Sequence, residues 1–226
     1  IIPYLYEICA DTAKISNVLI LFSGDTGFYS GSKKLYLAIK NEIAEGKLNA
    51  DVSILPGISS VSYMAAAVGE TYSDAYICSI HGVKISNITS RISHHAKTFM
   101  LMSGVKDVNM LGHLLCSDER YGLQKCSVTV GYQLSYPDET ISQLSPQECT
   151  KLKREGLYIC MIKNPNPVAK NVTPQLSDAA FIREKVPMTK EEIRHVSICK
   201  LHLKSDSVLY DVASGPGSIA VEAASL

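Results

Sequence analysis

Asn17-Val-Leu-Ile-Leu-Phe22 runs straight into Ser23-Gly-Asp-Thr-Gly27. An unbroken apolar run that ends at a glycine-rich turn predicts a strand buried on both faces, of the kind a parallel sheet requires. From Tyr29 to Ala44 the period becomes helical, with Leu35, Ile39 and Ile43 on one face and Lys33, Lys34, Lys40 and Glu42 filling much of the rest. Gly46 suits the C-cap of that helix. Asp51-Val-Ser-Ile-Leu55 repeats the pattern as a second strand, Pro56-Gly-Ile-Ser-Ser60 as a second turn, and an Ala-rich helix follows to Gly69. Strand, glycine turn and helix twice in succession predict an α/β fold with a parallel sheet.

Beyond this point strands outnumber crossover helices. Strands are expected at Asp74–Ile80, Lys97–Met102, Cys126–Val130 and Leu157–Lys163, with a helix from Val105 to Leu115. Ser145-Pro-Gln-Glu148 is a helix start, with Ser at the N-cap, Pro at the first position and Glu completing a capping box. Asn164-Pro-Asn-Pro167 breaks regular structure. Thr189-Lys-Glu-Glu192 reads as a second capping box, opening a helix to about Leu201. Ser207–Asp211 reads as a strand leading into Ala213-Ser-Gly-Pro-Gly-Ser218 and a helix start. The expected organisation is an α/β subdomain over 1–95, a mixed-sheet subdomain over 96–165, a linker over 166–187, and the start of a second domain over 188–226.

Composition narrows the function. The 226 residues carry 22 Lys+Arg against 22 Asp+Glu. Without net charge or a basic run, neither nucleic acid nor an anionic membrane surface has an electrostatic footprint to meet. The longest strongly apolar run, Val18–Phe22, is far below the roughly 20 residues of a membrane helix. Seven scattered cysteines, several inside apolar runs such as Tyr158-Ile-Cys-Met-Ile162, predict buried, reduced thiols of an intracellular, cytoplasmic protein. The six histidines share no ligand spacing with cysteine or carboxylate, so no metal site is expected.

The chemistry is expected at the loops. Gly215 and Gly217, between a strand and a helix, let a ligand approach the backbone closely. Gly215-Pro-Gly-Ser-Ile-Ala220 satisfies G-x-G-x-x-G/A, open to a nicotinamide dinucleotide or to a purely structural turn. Asp211 just ahead of it favours an S-adenosylmethionine enzyme. Asp25 could accept hydrogen bonds from a ligand or cap the next helix. Ser59 and Ser60 occupy the corresponding edge of the second unit, as N-cap or as ligand contacts.

Ser23-Gly-Asp-Thr-Gly-Phe-Tyr-Ser30, Pro56-Gly-Ile-Ser-Ser60, His81-Gly82 and Gly131-Tyr-Gln-Leu-Ser-Tyr-Pro-Asp-Glu139 together resemble the tetrapyrrole (corrin/porphyrin) methylases. The resemblance is nearest to the precorrin-6Y branch, in which a C5-methylating half precedes a Rossmann-type half that handles C15 and a decarboxylation. Val186-Pro-Met-Thr-Lys-Glu-Glu-Ile-Arg194 and Asp211–Ser218 are similar to the opening of that second half. The resemblance implies two α/β subdomains with S-adenosyl-L-methionine folded in the cleft between them. It implies cofactor contacts at Gly24, Asp25, Phe28, Ser59, Ser60, Met102, Ser103 and Gly104, and at Asp211, Gly215 and Gly217 in the second half. It implies a precorrin or cobalt-precorrin substrate, and a homodimer, a state common in the family. Glu139 and His81 are candidates for proton handling by chemical type, against a solvated turn carboxylate and a hydrogen-bonded loop histidine. The family also opens with a strand and a G-x-G-P-G loop that this sequence lacks, so a missing first element is expected. The alternatives are an NAD(P)-dependent oxidoreductase, resting on Gly215–Ala220 alone, and a non-catalytic tetrapyrrole-binding α/β module.

Overall fold

A computed structural model describes residues 1–10, 17–80, 87–169, 173–182, 186–204 and 206–226. The chain divides into two units, Ile1–Pro167 and Val168–Leu226.

The first unit begins with three helices, α1 (Ile2–Ala10), α2 (Ser32–Ala44) and α3 (Ser60–Ala67). There follow β1 (Tyr76–Ser79), α4 (Ile88–Ser93), β2 (Lys97–Met102), α5 (Val105–Ser117), β3 (Ser127–Tyr132), β4 (Thr140–Leu144), the single turn α6 (Pro146–Cys149) and β5 (Tyr158–Lys163). The strands form one sheet in the order β1-β2-β5-β3-β4. β1 and β2 are parallel, and every other pairing is antiparallel, with Phe99 and Thr129 both registered opposite Met161. This is the mixed sheet expected of the second subdomain. It does not divide at residues 95 and 96, however, because β1 lies before that boundary and pairs with β2.

Alternation along the strands gives the sheet two apolar faces. Met100, Val128, Val130, Cys160 and Ile162 belong to a core with Ile92 of α4 and Val105, Val108, Leu111 and Leu115 of α5. Phe99, Ile159 and Met161 belong to a second core on the other face, with Val61, Met64 and Ala65 of α3 and the half-buried Phe28 and Leu134. Phe99 is fully buried, a contribution of about 1.5–3 kcal/mol. Ser145 caps α6 as its sequence requires, accepting from the Glu148 amide while Glu148 accepts from the Ser145 amide.

Two expected strands are absent from this sheet. Neither Asn17–Phe22 nor Asp51–Leu55 has a ladder partner among the described residues. Both flank a cavity of about 860 Å³ that reaches Gly24 and Gly57 and is floored by Leu35 and Ile39 of α2. Apolar, β-branched sequence favours extension, but a strand exists only where a neighbour completes its hydrogen bonds. Leu19 and Leu21 are accordingly exposed.

The second unit holds α7 (Glu191–Leu201) and α8 (Ser218–Ala224). Its helix opens on Lys190 with no side-chain cap, so Thr189 does not form the expected capping box. Ser207–Asp211 is not a strand either: Val208, Tyr210 and Val212 are 76%, 85% and 89% exposed, with no ladder alongside among the described residues. Part of the expected linker is packed within this unit, since Gln175, Leu176 and Asp178 hydrogen-bond to side chains of α7 and α8. Four of the described cysteines are buried as expected, but Cys199 of α7 is exposed and Cys116 half-buried. No described helix is long and apolar enough to cross a membrane.

Candidate functional site

The first two glycine loops meet. Gly24 adopts φ +76°, a conformation that L side chains rarely take. A Cβ on Gly57 would stand 2.3 Å from the Gly24 carbonyl oxygen and 3.2 Å from Asp25 Cα, so only glycine allows this apposition. The Thr26 hydroxyl donates to the Leu55 carbonyl at 2.7 Å, a second tie between the loops. Asp25 Oδ1 accepts from the Gly27 amide at 2.5 Å. It therefore closes its own turn and does not cap α2, whose N-cap is Gly31. Ser59 is the N-cap of α3, its Oγ accepting from the Ser62 amide at 3.0 Å, and Ser60 is the first helical residue. Phe28 leaves this pair of loops to pack against the α3 face of the sheet, beside Leu101 and Phe99 of β2.

Met102, Ser103 and Gly104 follow at the carboxyl end of β2. The Met102 side chain is buried in the core on the opposite, α5 face, away from Phe28. Asp107 Oδ2 accepts from the Ser103 amide at 2.6 Å, and Gly104 lies beside Glu155 and Gly156. The structure thus sets the Gly24–Asp25 turn against Gly57 and Ile58, which lead into Ser59 and Ser60 at the start of α3. Phe28 shares the α3-face core with Leu101, the residue before Met102.

Glu139 occupies the turn between β3 and β4. Its Oε2 accepts from the Ser135 amide at 2.5 Å. It also hydrogen-bonds the Tyr63 hydroxyl of α3, which with burial lifts that phenol above its ordinary value. Gln133 and Ser135 sit at φ 47° and 67°, and Gln133 Oε1 is buried with no partner among the described residues. Left-handed backbone in non-glycine residues and an orphaned acceptor are features that collect at binding sites. Tyr63 carried no signal in the sequence, since it gains meaning only from Glu139, remote along the chain, whereas Gln133 lies within the Gly131–Glu139 stretch and was not singled out there. His81 lies outside the described residues.

In the second unit, Gly215 and Gly217 both take left-handed backbone, φ +57° and +74°. A Cβ on Gly217 would meet nothing within 4 Å, so the loop is open on that side. Asp211 Oδ2 is buried and has no hydrogen-bond partner among the described residues. A buried carboxylate oxygen is costly unless something donates to it.

The family model of the Tetrapyrrole (Corrin/Porphyrin) Methylases matches residues 5–148. The chain belongs to this family. A relative, the precorrin-6Y C(5,15)-methyltransferase [decarboxylating] of Sinorhizobium sp, is 26% identical over 210 residues, covering 92% of this chain and 48% of that protein. A probable cobalt-precorrin-6B C(15)-methyltransferase (decarboxylating) of Pyrobaculum calidifontis is 53% identical over 53 residues, 23% of this chain and 27% of that protein. The chain therefore spans about half of the first relative and about a quarter of the second. Among solved structures, the native uroporphyrin III C-methyl transferase of Thermus thermophilus covers 71% of this chain and 70% of its own, at 15% identity and a TM-score of 0.48. Tetrapyrrole methylases are S-adenosylmethionine-dependent methyltransferases.

Proposed function

We propose that this chain takes S-adenosylmethionine as methyl donor in a precorrin C-methyltransferase of cobalamin biosynthesis. In this reading the first unit serves methylation at C5, and the second belongs to the half that handles C15 and the decarboxylation. One observation carries it. The Sinorhizobium relative, whose name joins both positions, matches 92% of this chain and so runs through both units.

The residues fit the donor. Its ribose hydroxyls and ammonium group are hydrogen-bond donors, which is what the orphaned Asp211 Oδ2 lacks. The open left-handed backbone at Gly217 admits it closely. In the first unit the same role falls to the Gly24–Asp25 turn and the Ser59–Ser60 start of α3, with Phe28 between them and the sheet. Bound there, the sulfonium supplies an already activated methyl group. The protein's task is to align the ring carbon with it and exclude water, which needs no metal and no covalent nucleophile. Glu139, its carboxylate oriented by the Ser135 amide and the Tyr63 hydroxyl, is the described candidate to receive a proton from the methylated ring.

Calorimetry on the chain tests this reading. S-adenosylhomocysteine should bind, and label from S-adenosylmethionine should pass to a precorrin. Heat with NADH and none with S-adenosylhomocysteine would overturn it in favour of an oxidoreductase. Tetrapyrrole binding without methyl transfer would favour a binding module.

A further inference from the structure

Arg194, on α7, is completely buried, and its guanidinium is surrounded by partners. Nε donates to Glu222 Oε2 at 2.6 Å. Nη1 donates to Asp178 Oδ1 at 2.9 Å and to the Thr189 carbonyl at 3.0 Å. Nη2 donates to the Leu176 carbonyl, and the Phe181 ring lies 4.5 Å from the guanidinium carbon. Glu222, equally buried, uses its other oxygen to accept from the amides of Gln175 and Leu176 at 2.7 and 2.8 Å. A buried ion pair survives desolvation only when saturated in this way.

The partners matter for where they lead. Glu222 is on α8, which begins directly after Gly217. Thr189 is two residues beyond Pro187, whose carbonyl, with Val186 Cγ1, is what a Cβ on Gly215 would first meet, each at 3.7 Å. The Asp211–Gly217 loop thus meets the segment 186–187 at Gly215 and continues directly into α8. One guanidinium grips Thr189 and Glu222.

We propose that Arg194 is a positioning residue for the Asp211–Gly217 loop, fixing the loop between Thr189 and Glu222 so that Asp211 and the two glycines present one arrangement to a ligand. The ligand part of this inference rests on the reading of that loop as a cofactor site. Arg194 touches no reacting group and acts through the backbone it holds.

The test compares the chain with Arg194→Lys and with the double variant Arg194→Met/Glu222→Met, which removes the two fully buried charges together, while Asp178, 30% exposed, keeps access to water. The first readout is amide hydrogen exchange. The Gly217 amide, which donates to the Ser214 carbonyl at 2.9 Å, should exchange about tenfold faster or more in both variants, while those within α7 stay protected. The second is calorimetric titration with S-adenosylhomocysteine. The binding component that Asp211→Asn removes should weaken by about tenfold in the same variants. Unchanged loop exchange overturns the proposal whether or not ligand binds, and unchanged affinity of the Asp211-dependent component overturns it as well. Faster loop exchange with no Asp211-dependent binding in the parent chain upholds the positioning role and sinks the cofactor reading instead.

Discussion

Gly57 and Gly24 are in backbone contact, with 2.3 Å between the Gly24 carbonyl oxygen and the place where a Gly57 Cβ would stand. Two loops 33 positions apart are pressed together by the absence of one methyl group. Gly57→Ala must push the loops apart, at about 1–3 kcal/mol in stability. Thermal unfolding should register that loss, and S-adenosylhomocysteine affinity in the first unit should fall with it. A variant as stable as the parent would show that the loops have room to yield.

Gly112 of α5 packs on α6 just as closely: a Cβ there would lie 2.7 Å from the Pro146 carbonyl and 2.9 Å from the Thr150 amide nitrogen. Gly112→Ala should improve local helix propensity yet destabilise the unit, because backbone on both sides leaves nothing flexible to move. Denaturant unfolding gives the sign. Ligand affinity should change little, since this contact lies away from the glycine loops.

Asp211→Asn separates binding from folding. Its buried Oδ2 has no partner among the described residues, so removing the charge should leave the unliganded chain as stable or more stable. Under the cofactor reading of this loop, S-adenosylhomocysteine should stabilise the second unit of the parent chain and not that of the variant. Differential scanning calorimetry with and without ligand measures both. A fall in stability without ligand would mean that Asp211 has a structural partner.

Glu222 sets an acid limit on the second unit. Burial alone would raise its pKa, but the Arg194 hydrogen bond and the Leu176 and Gln175 amides outweigh it, leaving the group below its ordinary 4.5. A carboxylate depressed in the folded state adds stability that is complete above that ordinary value and lost as pH falls through the folded one. Stability of the second unit should therefore drop as pH is lowered below about 4.5. Arg194→Met/Glu222→Met should flatten that acid limb, which urea titrations at stepped pH would reveal.

Tyr63 reports on the turn that carries Glu139. Its phenol is held above the ordinary 10.0, chiefly by the hydrogen bond to that carboxylate. Glu139→Gln should bring the titration back towards 10.0, read by NMR of ring-labelled tyrosine. An unmoved titration would mean that the contact does not persist in solution.

The loops were legible in the sequence because glycine and capping chemistry act locally. Ser145-Pro146-Glu148 and the left-handed Gly24, Gly215 and Gly217 are fixed by residues within a few positions. The strands were legible only where partners exist. Lys97–Met102 and Tyr158–Lys163 read correctly because each is flanked on both sides. Asn17–Phe22, Asp51–Leu55 and Ser207–Asp211 have the same apolar character and no ladder among the described residues, and hydropathy does not encode a neighbour. The Arg194–Glu222 pair, 28 positions apart, was invisible for a related reason: an arginine within a charged helix start reads as solvated until a second helix is laid over it.

β5 lies in the middle of the sheet, antiparallel to β2 on one side and to β3 on the other, and is buried on both faces. It is also the last strand of its unit to leave the ribosome. Until residues 158–163 emerge, β1–β2 and β3–β4 are two ribbons with unpaired edges and no strand to join them. Sheet closure must therefore wait for a contact between β2 and β5 some sixty residues apart, which makes folding slow. The nascent chain is exposed to aggregation through that interval.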